Sequence, residues 1–373
     1  MRNYPSILHT CDWHLGHDRT PTEDTVDDIR TYLLPRLNEV DLLLITGDIY
    51  DQKIDFDNIS TSTILDIFAD ILFHCYENEV VVRVLQGTYS HDRDQLIVWR
   101  RLYKKLAIPV DFQIIRKLSI EIIDSLGISI LYIPDNLPYK TKEEVLQQIQ
   151  QLLISHGLTK VDYVSFHGEF EHLGFIHHFN NDLFRIDDFK SIVNKRILAG
   201  HIHKPSQYKN LIYGGSINRL AHDEDHDKGF WIIDGNDKAS FIKNESANWY
   251  VTKDYSEFTE VEELLEYHKS IIESFPKDRL GYLRVKISNP HLKQTLRSYH
   301  EPYSKQIRLT WFNRKVAEKE TFLDSKLKSI KTETFEIPSR ENLPNLISKH
   351  LVEIHKIELT IDEVQEVLYV GDL

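Results

Sequence analysis

Cysteine is nearly absent: Cys11 and Cys75 are the only two in 373 residues. A disulfide framework is excluded, a structural thiolate zinc site is not expected, and a reducing cytosol fits the composition. Long apolar runs are missing too. No stretch reaches the roughly 18–20 residues of a membrane span, and the opening segment MRNYPSILHTCDWH has no apolar core of signal-peptide length. A cytoplasmic protein with no membrane partner is the expectation. An excess of positive charge is the third absence. With 45 Lys and Arg against 58 Asp and Glu, the formal charge is −13. That excludes nucleic-acid binding by bulk electrostatics alone, but not an enzyme whose cations are bound metals or whose basic surface belongs to a partner.

What is present is ordinary for a folded chain: 41% hydrophobic and 28% charged residues, at a length that suits two to three domains. Histidine stands out at 19 residues, scattered and often beside Asp or Gly. The first half alternates apolar strands with amphipathic helices. Leu42 to Ile45 is a continuous apolar run ending at Thr46-Gly47-Asp48, the pattern of a strand buried on both faces. Helical spacing covers 24–37, 58–76, 93–106 and 142–155, and the alternation argues an α/β protein with helices packed on sheet. After about residue 245 the texture changes, and beyond Gly235 only Gly281 and Gly371 remain. The expected division is 1–245 as the main domain, 246–317 as a small α+β domain, and 318–373 as a Lys/Glu/Ser-rich linker and helical tail.

One pattern repeats along the chain: an apolar strand ends, and an Asp or His follows at once. It occurs at Asp12 and His14, at Asp48, at His91 and Asp92, at His167, and at His201 and His203. Groups just past the carboxyl ends of parallel strands converge on one crevice, so these separated residues can form one cluster. Imidazole and carboxylate together suit Mn, Zn or Fe. In Asp12-Trp13-His14 and His201-Ile202-His203 the i, i+2 spacing puts both ligands on one side of an extended backbone. Gly47 leaves room for a ligand to approach the backbone, and Asp48 can bridge two cations. Two such metals roughly 3.5–4 Å apart activate water and hold a phosphate in line with it. The chemistry is that of a phosphoester hydrolase.

These motifs resemble those of the calcineurin-like metallophosphoesterase superfamily: Asp12-x-His14, Gly47-Asp48-x-x-Asp51, His91-Asp92, His167-Gly168 and Gly200-His201-x-His203. Thr10 to Gly16, Thr46 to Asp51, and Tyr213-Gly-Gly-Ser216 with Lys228-Gly-Phe230 are similar to the SbcD-type DNA nucleases in particular, across about residues 8–233. The resemblance implies a β-sandwich flanked by helices, with 246–317 as a capping and DNA-binding domain and 318–373 as an ATPase-docking element. It implies a Mn²⁺-dependent nuclease, with Mg²⁺ the alternative, that degrades duplex ends and cuts single strands. Its partners would be DNA ends, an SbcC-type SMC-like ATPase and a second copy of the chain. Its settings would be recombination, repair or replication, with a phage version working in the host cytoplasm. By the same resemblance, Asp12, His14, Asp48 and His203 hold one metal, and Asp48, His167 and His201 the other. His91 stabilises the transition state or protonates the leaving group, Asp92 orients the His91 ring, and Asp51 stands behind the ligands.

The sequence departs from the family at one place. The usual Gly-Asn-His-Asp is replaced by Gly87-Thr88-Tyr89-Ser90-His91-Asp92. Ser90 falls where the metal-ligating Asn would stand, with water or Thr88 as alternatives, and a looser second site follows. Two rival functions stand beside the nuclease: a small-molecule or protein phosphatase on the same framework, and a catalytically weakened scaffold subunit. Other histidines carry less. His177-His178 reads as a solvated face, the 221–227 segment with His222 and His226 as an exposed acidic turn, and His9 as core. The basic residues of 93–105 read as the charged outer face of a helix. Its apolar side would join 58–76 in a dimer-forming bundle. The tail stripe from Leu343 to Ile354 would pack on its own domain or dock on a partner.

Overall fold

The computed structural model describes residues 4–55, 58, 60–139, 141–171 and 183–312. The described residues up to 312 belong to one compact unit. The expected tail over 318–373 and the His177-His178 pair lie outside the described residues.

Strands β1 (Ile7–Thr10), β2 (Leu42–Thr46), β3 (Val81–Leu85) and β4 (Phe112–Ile115) run parallel. A second sheet is built from β5 (Ser119–Ile123), β6 (Ile128–Ile133), β7 (Val161–His167), β8 (Val193–Gly200), β9 (Ser206–Tyr208) and β10 (Leu211–Tyr213), in the order β5-β6-β7-β8-β10-β9. The chain then returns to the first sheet with β11 (Gly229–Ile233) and β12 (Ala239–Lys243), giving the order β12-β11-β1-β2-β3-β4. Both sheets are mixed: the first has antiparallel pairs at its β11–β12 side and is parallel out to β4, and the second is parallel in the middle with an antiparallel pair at each edge. This is an α/β sandwich of two six-stranded sheets flanked by helices, the fold class expected from the sequence.

The two buried faces of each sheet explain the unbroken apolar strands. On β2, Leu42 and Leu44 point into the space between the sheets, where they meet Ile130, Tyr132, Tyr163 and Leu198. Leu43 and Ile45 point the other way, onto the helices that cross between the strands: α1 (Thr22–Asp28), α2 (Ser60–Glu77) and, past the short α3 (Tyr89–Asp92), α4 (Leu96–Leu106). On the far side, α5 (Lys142–Ser155) covers Val164, Phe166 and Ile197 of the second sheet. The basic side chains of α4, among them Arg100, Arg101, Lys104 and Lys105, are exposed, while Leu96 and Trp99 face the core.

Residues 250–311 add a third sheet, β13 (Tyr250–Asp254), β14 (Gly281–Lys286) and β15 (Ile307–Trp311), all parallel. Parallel neighbours require long crossovers, and α6 (Val261–Ser274) and α7 (Pro290–His300) provide them. Leu283, Val285 and Ile307 pack with Leu264, Ile272, Leu292 and Leu296 in a core of their own. Thr20 Oγ1 meets Tyr250 Oη at 2.9 Å, and Arg279 pairs with the buried Asp28 at 2.5 Å, so this layer is tied to the loop after β1 and to α1.

Candidate metal centre

The residues of the repeating Asp/His pattern lie at the carboxyl ends of parallel strands: His167 closes β7, Asp12, His14, Asp48, His201 and His203 closely follow β1, β2 and β8, and His91 and Asp92 sit in α3 after β3. The loops after β1 and β2 run side by side. The Asp12 amide donates to the Gly47 carbonyl at 3.0 Å, and the His14 amide to the Asp48 carbonyl at 3.1 Å. The Asp12 carboxylate takes the His201 amide from across the sandwich at 3.0 Å. Three groups of possible ligand atoms result: Asp12 with His14 and His203, Asp48 with His167 and His201, and His14 with Asp51 and His91. His14 Nε2 and Asp48 Oδ2, 4.0 Å apart, connect the first two.

The backbone here is strained. Asp12, His14, Asp48 and His201 all have positive φ, at 52°, 47°, 50° and 86°. Such conformations cost of order 1–3 kcal/mol each, and surrounding structure must impose them. Glycine supplies the room. A Cβ on Gly47 would stand 2.3 Å from His167 Nδ1 and 2.6 Å from Gly87 Cα. The space at Gly47 therefore admits the His167 ring and the neighbouring loop, not an incoming ligand as the sequence suggested.

The hydrogen bonds fix which ring nitrogens carry protons. His14 Nδ1 faces Asp51 Oδ1 at 3.1 Å, and His203 Nδ1 faces Glu224 Oε1 at 2.7 Å. A nitrogen facing a carboxylate donates, so in neutral rings both Nε2 atoms keep their lone pairs. Those two Nε2 atoms lie 3.0 Å apart. In the second group, His167 Nδ1 donates to the Thr46 carbonyl at 2.7 Å, which turns its Nε2 toward Asp48 Oδ2 at 3.2 Å. Both facing pairs need a positive charge between them, which a proton or a divalent cation supplies, and imidazole with carboxylate is a donor set for such a cation. Burial alone would raise Asp48 and lower His167. Their mutual attraction wins, holding Asp48 well below the usual carboxylate range and lifting His167 to about 10. The residues therefore fit two metal positions.

Two sequence expectations are corrected. Ser90 is exposed, and its backbone carbonyl, 3.4 Å from Arg93 Nε, makes its one described hydrogen bond. Thr88 occupies the place instead: its amide donates to Asp48 Oδ1 at 2.6 Å, and its hydroxyl lies 3.2 Å from Asp48 Oδ2 and 3.3 Å from His167 Nε2. The added length is taken up in the four-residue α3, which carries Ser90 away from the cluster. Asp92 does not orient His91. Its carboxylate is fully buried and accepts the amides of Ile49, Tyr50 and Gly87 at 2.9, 3.1 and 2.7 Å, clamping the loops after β2 and β3 together. Burial, reinforced by the charge of Asp48, raises Asp92 to about 6. The His91 ring is held by the Asp51 carbonyl at Nδ1 and stands edge-on to His14, ring centres 4.8 Å apart.

The 221–227 segment is not simply an exposed turn. Glu224 is buried, pairs with the fully buried Lys228 and orients His203. Glu169, next to Gly168, approaches His201 Nε2 at 3.5 Å. Sequence reasoning missed both: Glu169 stands two residues past β7 as Asp48 does past β2, while Glu224 follows no strand and left only its i, i+4 spacing to Lys228 as a signal. His9 is core, with its Nε2 2.8 Å from Thr46 Oγ1.

No family model and no curated protein matches the chain. One similar solved structure has 12% sequence identity, a coverage of 65% of this chain and all of that one, and a TM-score of 0.37. No helix among the described residues is long and apolar enough to cross a membrane. The buried His/Asp groups mark a candidate metal site.

Proposed function

We propose that this chain is a DNA nuclease that hydrolyses phosphodiesters at DNA ends with two divalent cations, most simply Mn²⁺. The observation that carries the reading is the pair of ligand groups, with His14 facing His203 and His167 facing Asp48, linked through His14 and Asp48. Bound divalent cations would supply Lewis acidity and an activated water. Asp12, His14, Asp48 and His203 would hold one, and Asp48, His167 and His201 the other. With Nδ1–H committed to the Asp51 carbonyl, His91 keeps Nε2 for substrate, where the imidazolium form gives its Nε2 proton to the leaving oxygen and the neutral ring remains. Thr88 supports the second position through oxygen, in place of the amide that the resemblance implies.

A feature near the site favours a polyanionic substrate. Pairing in the third sheet aligns Tyr250 with Tyr282 and Tyr282 with Arg308, and Thr252 with Arg284. Tyr250 and Tyr282 stack at 4.2 Å, Arg308 lies 5.8 Å from the Tyr282 ring, and neither Arg284 nor Arg308 has an acidic partner among the described residues. Tyr282 is buried and cannot stack on a base, so the guanidinium groups are what suit a phosphate backbone. The chain's −13 charge opposes tight DNA binding elsewhere, which fits a subunit that reaches DNA with an SMC-like ATPase and a second copy of itself.

The test is hydrolysis of end-labelled duplex DNA by the purified chain with Mn²⁺, Mg²⁺ or EDTA. Cleavage lost in EDTA and in Asp48→Ala is the expected result. Nitrophenyl ester hydrolysis without DNA cleavage would assign a phosphatase instead. Unchanged cleavage by His91→Asn and Asp48→Ala would overturn the mechanism.

A further inference from the structure

We propose that the buried Glu224–Lys228 ion pair is a positioning device for His203, and that it controls one of the two cation positions and not the other. The proposal rests on the metal reading above. Lys228 has no exposed side-chain surface and Glu224 keeps one tenth of its own. A buried pair of this kind is costly to assemble, and a well-packed apolar pair of similar volume is often as stable. Its partners therefore indicate what it is for.

Both members end on His203. Glu224 Oε1 takes the His203 Nδ1 proton at 2.7 Å, while Oε2 takes Lys228 Nζ at 2.7 Å and the Leu220 amide at 2.9 Å. Lys228 Nζ has three protons and three acceptors: Glu224 Oε2, Ser216 Oγ at 2.7 Å and the His203 carbonyl at 3.2 Å. The Ser216 amide at 3.1 Å and His226 Nε2 at 3.0 Å reach the same carbonyl. One ion pair thus holds the His203 ring from one side and its backbone from the other, leaving Nε2 to face Asp12 and His14.

The other rings are held differently. A neutral backbone carbonyl orients His167, and the partly exposed Asp51 orients His14. An anionic partner both orients an imidazole and raises its basicity as a ligand. Loss of the pair should then weaken the Asp12/His14/His203 position and spare the Asp48/His167/His201 position.

The experiment is Mn²⁺ titration of the full chain by calorimetry, with thermal unfolding as the check on folding. Glu224→Ala with Lys228→Met removes the pair without stranding a charge. The expected result is two cations on the wild type, and on the double variant one unchanged and one weakened about 10- to 100-fold. Glu224→Gln with Lys228→Met restores an oxygen acceptor for His203 Nδ1 and should recover part of the loss, which a purely structural role would not predict. Glu224→Asp keeps the charge balance while drawing the carboxylate back from the ring. It should give the same one-site loss, and it serves where the double variant fails to fold. Two cations bound as in the wild type by folded variants would overturn the positioning role and leave the metal reading intact. A wild type that binds no Mn²⁺ would overturn both.

Discussion

Replacing Thr88 by Val removes one hydroxyl from the second metal position and little else. The Thr88 amide still donates to Asp48 Oδ1 at 2.6 Å, and the side-chain volume is nearly kept. What disappears is the oxygen 3.2 Å from Asp48 Oδ2 and 3.3 Å from His167 Nε2. A hydrogen bond to a charged group contributes about 1.5–3 kcal/mol. At about 1.4 kcal/mol per factor of ten, the cation held by Asp48, His167 and His201 should bind about ten- to a hundredfold more weakly. Thr88→Asn, with an amide oxygen, should bind it at least as tightly as the wild type. Ser90→Ala should change nothing, because that side chain is exposed and makes no described hydrogen bond to the cluster. Mn²⁺ titration of the three variants, with DNA cleavage measured against Mn²⁺ concentration, reads all three effects. Weaker binding in Ser90→Ala together with wild-type binding in Thr88→Val would refute the assignment.

Asp92→Asn leaves one of the three amides of Ile49, Tyr50 and Gly87 facing an NH₂ group. A loss of about 1–3 kcal/mol in chemical unfolding is expected from the unmet buried donor. Gly200→Ala would put a Cβ 2.1 Å from the Thr46 carbonyl, the acceptor that orients His167. Backbone cannot yield there, so little soluble, folded protein should be recovered. In the third-sheet layer, Tyr255 Oη, His268 and His300 form a buried chain ending on the Ile307 carbonyl, with links of 3.0, 3.0 and 2.8 Å. Burial lowers His268 to about 4 and lowers His300 too. The unfolded chain takes up these protons near pH 6.5 while the folded chain resists, so this stability is complete above about 6.5 and is lost as pH falls toward 4. His268 alone should cost about 2 kcal/mol between pH 6.5 and 5. Unfolding midpoints across that range check it, with His268→Gln giving a flatter profile.

The sandwich core and the strand-end residues were legible because buried parallel strands are unbroken apolar runs, and the polar residues that end them stand out. Short or half-exposed strands carry no such contrast, and β4, β9, β12 and β13 went unread. The helix α7 did leave a signal: Asn289 caps it through the His291 and Leu292 amides, and Pro290 stands at its first position. Thr88 was only one of three options, since sequence spacing does not show that Tyr89–Asp92 coils into a helical turn. Asp92 was misassigned because adjacency to His91 suggested a partner, whereas helical geometry turns neighbouring side chains apart. Glu224 was hidden among the acidic residues of 221–227, and only the returning chain shows which of them is buried.

The strain and the charge at the site have a common explanation. Four positive-φ residues and the facing Nε2 atoms of His14 and His203 are each unfavourable in isolation. None is imposed by a local turn alone: Asp12 and Asp48 are held by amides from other loops, those of His201 and Thr88. The unfavourable terms are therefore set by long-range packing of two sheets whose cores do not depend on them. A framework stable enough to hold ligands in place before a cation arrives lets binding energy go into the metal rather than into ordering loops. That order of events explains why the strongest constraints fall on His167, which is fully buried between Thr46, Gly47 and Gly200. By contrast, His91, the group placed for substrate, is held by a single backbone carbonyl and keeps a partly exposed edge.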